Sequence, residues 1–314
     1  MHKDARVFVA GSRGLVGGAI VRRLQAEGFG HLLTPGRAEV DLADRRTVDA
    51  FFERERPEYV FDAAARVGGI HANDAFRADF IRENLQIQVN LIDAAYRNRV
   101  TKFVFLGSTC IYPKHAPQPM PEDSLLTGPL EPTNSAYAIA KIAGIEMIDA
   151  YRKQYGFNGI SLMPTNLYGP GDNYNLDTSH VLPALIRKFH EAKLANAPHV
   201  VVWGTGKPRR EFLHVDDLAD ACVFLMRNYD GDKIVNIGVG DDVSIGDLAG
   251  IIARVVGYAG EIVFDTTKPD GTPRKLVDVT RLHGLGWHAK IGLEQGIAST
   301  YRSYLAGAVH ARSA

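Results

Sequence analysis

The chain has 314 residues, 46% apolar and 23% charged, the balance of a soluble enzyme built from two closely packed domains. Its 36 lysines and arginines match its 36 aspartates and glutamates. That excludes the broad basic field of a nucleic-acid or membrane binder and leaves room only for a local basic pocket. With two cysteines, Cys110 and Cys222, and no apolar run near the roughly 18 residues that span a bilayer, neither a disulfide framework nor a membrane span is expected. The chain reads as soluble and cytoplasmic.

Val7 to Ala10 reads as a short buried strand, so close to the start that no leader is expected ahead of it. A glycine turn and an amphipathic helix from Leu15 to Glu27 follow, then a second strand at His31 to Thr34. Asp44 to Arg54 reads as a helix with Val48, Phe51 and Phe52 on one face, and Tyr59 to Ala64 as a strand. Ile81 to Asn98 carries Leu85, Val89, Ile92 and Ala95 at helical spacing. Lys102 to Leu106 is the next strand, ending in Gly107-Ser108-Thr109. Such alternation predicts an α/β fold with a doubly wound parallel sheet, which binds ligands beyond the carboxyl ends of its strands.

The pattern changes after Pro164, where proline, glycine and asparagine cluster through Gly171. A helix near Val181 to Lys193, a strand at Val200 to Trp203 and a helix at His214 to Met226, capped by the aspartates at its start, are predicted next. Ile234 to Ile237 reads as a strand that returns to the sheet, and the last seventy or so residues as short helices mixed with a loop around Lys268 to Lys275. The expected division is a dinucleotide-binding domain of residues 1–165 plus about 212–240. A smaller α+β substrate domain takes 166–211 plus about 241–314.

Gly11-Ser12-Arg13-Gly14-Leu15-Val16-Gly17 places glycines at three-residue intervals between the first strand and the first helix. In that context the spacing points to a dinucleotide: the glycines let the backbone approach a pyrophosphate seated on the helix terminus. An NAD enzyme places a carboxylate near the end of the second strand. Here that stretch reads Leu33-Thr34-Pro35-Gly36-Arg37. Arg13 and Arg37 suit a 2′-phosphate, with Glu39 a nearby counterweight, so NADP(H) is the expected cofactor. Asp41, Leu42, Ala63 and Ala64 are expected to line its adenine and ribose.

Tyr137 and Lys141 stand four apart on a predicted helix, hence on one face. A carbonyl that receives hydride must also receive a proton. A tyrosine can donate it if a nearby cation lowers its pKa, a role suited to Lys141. Ser108, at a strand end, is placed to hydrogen-bond the carbonyl oxygen. Cys110 lies two residues beyond Ser108, so its side chain can point into the same site, and His180 sits just before a predicted helix. By itself the cysteine reads more often as a small buried residue, and the histidine equally as a neighbour of a helix cap.

Together with Gly68-Gly69-Ile70, the segments Gly107 to Pro113, Glu131 to Tyr137, Pro164 to Pro170, Arg210 to Asp217 and Lys268 to Lys275 carry a resemblance. The chain resembles the extended short-chain dehydrogenase/reductase family, and within it the members that epimerise and reduce GDP-linked keto-deoxy sugars. The resemblance implies a Rossmann-type fold and a bifunctional 3,5-epimerase and NADPH-dependent 4-reductase converting GDP-4-keto-6-deoxy-D-mannose to GDP-L-fucose. A GDP-3,6-dideoxy-sugar synthase of the same fold is the alternative. It further implies that Cys110 and His180 serve as base and acid in epimerisation. Leu106, Gly107, Pro164, Thr165, Asn166, Leu167 and His180 are implied along the nicotinamide end of the cofactor. Lys188, Trp203, Arg210, Asp270 and Lys275 are candidates for the GDP moiety, Lys188 reading as readily as a solvated helix residue. A homodimer packed through its long helices is implied, and neither a metal nor a nucleic-acid partner is expected.

Overall fold

A computed structural model of the chain describes residues 1–268 and 270–312. Strand β1 (Arg6–Ala10) leads through the glycine turn into helix α1 (Leu15–Ala26) and back to β2 (His31–Leu33). Helix α2 (Arg45–Glu55), capped by the Asp44 carboxylate on the Arg46 amide, precedes β3 (Tyr59–Asp62). A short α3 (Ile70–Ala75) then leads to α4 (Arg77–Arg97), β4 (Lys102–Leu106), α5 (Ser135–Tyr155) and β5 (Gly159–Pro164). The remaining elements are β6 (Asn166–Tyr168), α6 (Val181–Leu194), β7 (His199–Trp203), β8 (Arg209–Arg210), β9 (Phe212–His214), α7 (Val215–Asn228) and β10 (Val235–Ile237). After these come β11 (Val243–Ser244), α8 (Ile245–Val256), β12 (Glu261–Asp265), β13 (Arg274–Lys275), α9 (Thr280–Gly284) and α10 (Leu293–Arg312).

Six strands make one sheet in the order β10-β5-β4-β3-β1-β2, with every pairing parallel. Strands buried on both faces must be apolar throughout, and the alternation of their side chains sorts them between two layers. Val7, Val9, Phe61, Val104 and Leu106 pack with Ile20 and Leu24 of α1 and Leu218 of α7. Phe8, Ala10, Val60, Phe103 and Phe105 pack with Phe51 and Phe52 of α2, Leu91 of α4 and Ile145 of α5. The chain leaves β1 toward β2 and returns on the other side at β3, so the order reverses there. A crevice for ligands opens at the carboxyl ends of the strands that flank such a reversal.

A third core lies outside these layers. It joins Leu182, Ile186 and Phe189 of α6 to Val202 of β7, Leu248 and Ile252 of α8, and Ile297 of α10. Around it sit the pair β7-β12 and the three-stranded β11-β8-β13. Strand β10 does return to the main sheet, pairing Val235, Asn236 and Ile237 with Leu162, Met163 and Pro164 of β5.

Three local expectations change. The C-terminal part is not a mixture of short helices, since α8 has 12 residues and α10 has 20; both gain stability from the third core rather than from local signals. Helix α7 is capped by the His214 ring, which accepts from the Asp216 amide at 3.2 Å, and Asp216 and Asp217 lie inside its first turn. Helix α4 begins at Arg77, a full turn before the periodic apolar stretch.

The closest approach in the main sheet is at the glycine turn. A Cβ on Gly17 would stand 2.2 Å from the Gly11 carbonyl oxygen. Gly17→Ala is therefore expected to force α1 away from β1 and to cost about 1–3 kcal/mol as an overpacked contact, read from the denaturant midpoint.

Candidate active site

The glycine turn is shaped by its own sterics. Gly11 adopts φ +74, where a side chain would also strike Ala63 O at 2.8 Å, and Gly14 donates its amide to Gly11 O at 2.9 Å. Gly14 caps α1 with no side-chain bond, which leaves the first amides of the helix without a side-chain cap in the turn that holds Ser12, Arg13, Leu15 and Val16. The carboxyl end of β2 lies opposite. A Cβ on Gly36 would fall 2.7 Å from an Nη of Arg13, so the guanidinium lies flat against that glycine. Arg37 follows, exposed, and the counterweight Glu39 is engaged by Arg54 at 3.5 Å. Asp41 turns inward on its own loop, its carboxylate accepting from Ala43 at 3.1 Å, and Leu42 O accepts from Asn90. Ala63 and Ala64 continue β3 into the same crevice, Ala63 bonded to Ala10 O at 3.2 Å and Ala64 to the Asp62 carboxylate. The cradle thus offers backbone amides, an arginine plane and no free carboxylate at the β2 end. These residues fit a dinucleotide bearing a 2′-phosphate.

The candidate proton-transfer residues come together where β4 meets α5. Gly107 must lack a side chain, because a Cβ there would stand 2.4 Å from the Met163 methyl. Ser108 then turns out of the strand. Its hydroxyl bonds both the Tyr137 phenol and the Cys110 thiol and accepts the Cys110 amide at 3.4 Å. One turn along α5 from Tyr137, the Lys141 ammonium donates to Leu106 O at 2.8 Å. It lies 5.9 Å from the Tyr137 ring centre and 4.7 Å from that of Phe105. Ser108, Cys110, Tyr137 and Lys141 therefore lie together, with Cys110 and Lys141 buried and Ser108 and Tyr137 half-buried.

Its electrostatics differ from the expectation. Burial pushes the Tyr137 phenol well above its ordinary value, and the charges of Cys110 and Asp62 push the same way. Burial also raises the Cys110 thiol, against the partial opposition of Lys275, Ser108 and Lys141. Lys141 is lowered by its own desolvation. In a site this enclosed the cost of desolvating an anion exceeds the pull of the nearby ammonium groups on the thiol, and no ammonium group offsets it at the phenol. Both groups rest protonated, and the phenol is then a proton donor rather than a base.

Beyond Cys110 the site meets the second lobe. The Lys275 ammonium acts on the thiol and on His180, whose imidazole is held below its usual value by the surrounding protein and by that charge. His180 stands immediately before α6 and makes no capping bond of its own. Arg210 adjoins Lys275, and burial lowers both cations. Asn166 donates to Glu211 O at 2.7 Å, while Pro164 closes β5 and Thr165 donates to Ile237 O; Leu167 follows in β6. Trp203, Lys188 and Asp270 form a separate group. The ammonium groups of Lys188 and Lys268 lie 5.3 and 5.5 Å from the Trp203 ring centre, and that ring is 66% exposed. Lys188 is accordingly a half-buried ring neighbour rather than a freely solvated one. Both Asp270 oxygens are occupied by Thr205, at 2.8 and 2.6 Å, so this carboxylate first shapes its own loop.

Two buried acids received no role from sequence. Glu211 is fully buried and accepts from Val239, Gly240 and Val277 amides at 2.6, 2.8 and 3.1 Å. It ties the strand beside Arg210 to the segment beyond Lys275. Asp62 is fully buried at the end of β3, with one oxygen left without a partner. Its signal in the sequence is a carboxylate closing an otherwise apolar strand. Among the described residues no cluster of histidine, cysteine and acids suits a metal ion.

A glycine-turn cradle on a doubly wound sheet, with serine, tyrosine and lysine at the crevice, defines a dinucleotide-dependent oxidoreductase of the extended short-chain type. The chain belongs to the NAD dependent epimerase/dehydratase family, whose model matches residues 7–238. It is 60% identical over 303 residues to GDP-L-fucose synthase 1 of Arabidopsis thaliana, covering 96% of this chain and 94% of that protein. To GDP-L-fucose synthase of Escherichia coli it is 55% identical over 309 residues, with 96% of each chain covered. Among solved structures it superposes with a TM-score of 0.91 on MlghC, a GDP-mannoheptose C4 reductase from Campylobacter jejuni with NADP bound. That protein is 42% identical, with 97% of this chain and 99% of the other covered.

The Arg13–Gly36 contact makes the cofactor reading testable. Arg13→Ala is expected to weaken NADPH binding about tenfold, the value of one lost charge-assisted contact, and to change NADH binding much less. Calorimetric titration with the two nucleotides measures both.

Proposed function

We propose that the protein is a bifunctional 3,5-epimerase and NADPH-dependent 4-reductase that converts GDP-4-keto-6-deoxy-D-mannose to GDP-L-fucose. What supports this reading is that two kinds of candidate proton carrier lie within reach of the charges of Lys141 and Lys275. Ser108, Tyr137 and Lys141 form a carbonyl-reducing group, and Cys110 and His180 stand beside it under the charge of Lys275. The two GDP-L-fucose synthases similar to the chain along nearly its full length, and the NADP-containing reductase, support the same reading.

A ketone at C4 acidifies the hydrogens on C3 and C5. Cys110 removes such a proton as thiolate, Ser108 and Tyr137 hydrogen-bond the enolate oxygen, and His180 returns a proton on the opposite face. Two inversions leave the L-configured ketone in place. The glycine turn, Arg13 and Arg37 would hold NADPH, which when bound would supply the hydride for C4. Tyr137 gives its proton to the C4 oxygen, and Lys141 offsets the charge left on the phenol. Most binding energy for so small a sugar must come from the nucleotide. Arg210 and Lys275 suit the diphosphate, the open Trp203 face suits the guanine, and Asp270 closes the loop over it. Lys188 keeps a positive charge there without the bidentate fork of an arginine.

Residues 1–165 plus about 212–240 act as the cofactor domain, and 166–211 plus about 241–314 as the nucleotide-sugar domain. Two copies pair through α4 and α5, where Val89 and Ile139 are exposed apolar residues. No helix among the described residues is long and apolar enough to cross a membrane. Both cysteines are free thiols, which suits the reducing cytoplasm.

The test is NADPH oxidation with GDP-4-keto-6-deoxy-mannose in deuterated water, the product being read by NMR. Oxidation with deuterium at C3 and C5 is expected. Cys110→Ser should lower exchange by about 10²- to 10⁴-fold, the range of a lost acid–base group, while NADPH is still consumed. Tyr137→Phe should do the reverse. If neither oxidation nor exchange occurs, the substrate assignment fails. A second outcome follows from burial of the thiol. Its pKa lies above the ordinary value, so the thiolate fraction gains about tenfold per pH unit from 6 to 8. Exchange in single-turnover mixtures should climb across that range, and a plateau below pH 7 would contradict a raised thiol.

A further inference from the structure

Strand β3 carries a polar interruption that the reaction described above does not use. Side chains of β1, β3 and β4 alternate between the two layers, and Phe8, Ala10, Val60, Phe103 and Phe105 all point into the layer of α4 and α5. Asp62 stands in register with Ala10 of β1 and Phe105 of β4. Alternation therefore sends its carboxylate into that same apolar layer. The Lys141 ammonium lies 4.7 Å from the centre of the Phe105 ring, above the residue that neighbours Asp62 in the sheet.

Both groups are enclosed. Asp62 has no exposed surface and Lys141 has 3%. One oxygen of Asp62 accepts the Ala64 amide at 3.2 Å, and the other has no hydrogen-bond partner. Lys141 spends one donor on Leu106 O. An orphaned carboxylate oxygen in an apolar layer is expensive and persists only where a compensating charge is close.

We propose that Asp62 is a positioning residue for Lys141, its carboxylate held beneath the ammonium so that the lysine stays charged and aimed at the reacting carbonyl. The inference rests on the reductase reading given above. Lys141 is the cation that acts on Asp62, and Asp62 is the first group that favours the charged form of Lys141, followed by Cys110 when its thiol is ionised. Tyr137 is the third neighbour, its phenol disfavoured as an anion by the Asp62 charge. The buried polar side chains of α4 are the uncharged Asn84, Gln88 and Asn90, and the β1 neighbour of Asp62 is Ala10. Burial raises the Asp62 carboxyl to about 6. It is therefore ionised across neutral pH, where Lys141 needs it, and neutral in acid.

The arrangement opposes stability to activity. A carboxyl whose folded pKa lies above its unfolded value stabilises the fold at low pH, and that contribution is lost as pH rises toward and through the folded value. Ionised Asp62 thus costs stability above about pH 6, in the range where it serves the lysine.

The experiment compares wild type with Asp62→Asn and Asp62→Leu, the latter continuing the apolar stripe. In NADPH-dependent reduction of the keto sugar, the alkaline limb of the kcat profile should move to lower pH by about one unit in both variants, a tenfold loss above the limb. At pH 8 the unfolding temperature of Asp62→Leu should meanwhile rise. A limb that stays in place overturns the proposal, and so does a fall in unfolding temperature together with a uniform loss of rate at every pH. The inference can fail separately from the substrate reading. In the enzyme without sugar, carbon NMR of the Asp62 carboxyl, assigned by its loss in Asp62→Asn, should titrate near 6 and move upward in Lys141→Met. An unmoved or ordinary midpoint sinks the Asp62 proposal, even if GDP-L-fucose is made. A shifted midpoint supports it, and if no keto sugar is then reduced, the substrate reading is what falls.

Discussion

The site depends on one buried hydrogen bond, from the Lys141 ammonium to the carbonyl oxygen of Leu106. That bond fixes the pitch of α5 against the end of β4. From there everything else in the reductive group is spaced: Tyr137 one turn earlier on the helix, Ser108 two residues beyond Leu106, and Cys110 two further. A buried cation must keep its donors satisfied, so the lysine cannot wander without cost. Gly144 maintains the same closeness one turn on, since a Cβ there would strike the Phe105 ring at 2.4 Å.

Enclosure is the second constraint, and it sets the proton inventory. The phenol and thiol are held protonated and the lysine is weakened, all mainly by desolvation. A reductase working toward the alcohol needs a proton donor, and a protonated tyrosine is one. The second lobe supplies cations at the rim, Arg210 and Lys275. Glu211 locks their two segments together through three amide bonds, two from the turn after β10 and one from Val277. A single buried carboxylate thus ties the second lobe to the turn after the edge strand of the main sheet.

Much of this was legible in the amino-acid order because it rests on local patterns. The glycine turn, the alternation of apolar strands and helices, and the four-residue spacing of Tyr137 and Lys141 each report a backbone geometry with a fixed period. Helices α8 and α10 were less legible, because their support comes from the third core, assembled from distant segments. The cap of α7 was misread for a related reason. His214 is an unusual cap, and its ring is oriented by burial and by Ser299, 85 residues away.

By itself the sequence determined the fold class and pointed to a glycine-turn cradle and a set of candidate proton carriers, since these follow from spacing and chemical type. Tertiary structure alone decided how those groups titrate, because desolvation depends on what is packed around an atom and not on its neighbours in the chain. It also decided that Asp270 is spent on Thr205, that Trp203 lies between two lysines, and that Arg13 rests on Gly36. Each of these joins residues more than ten positions apart, and no local period encodes such contacts.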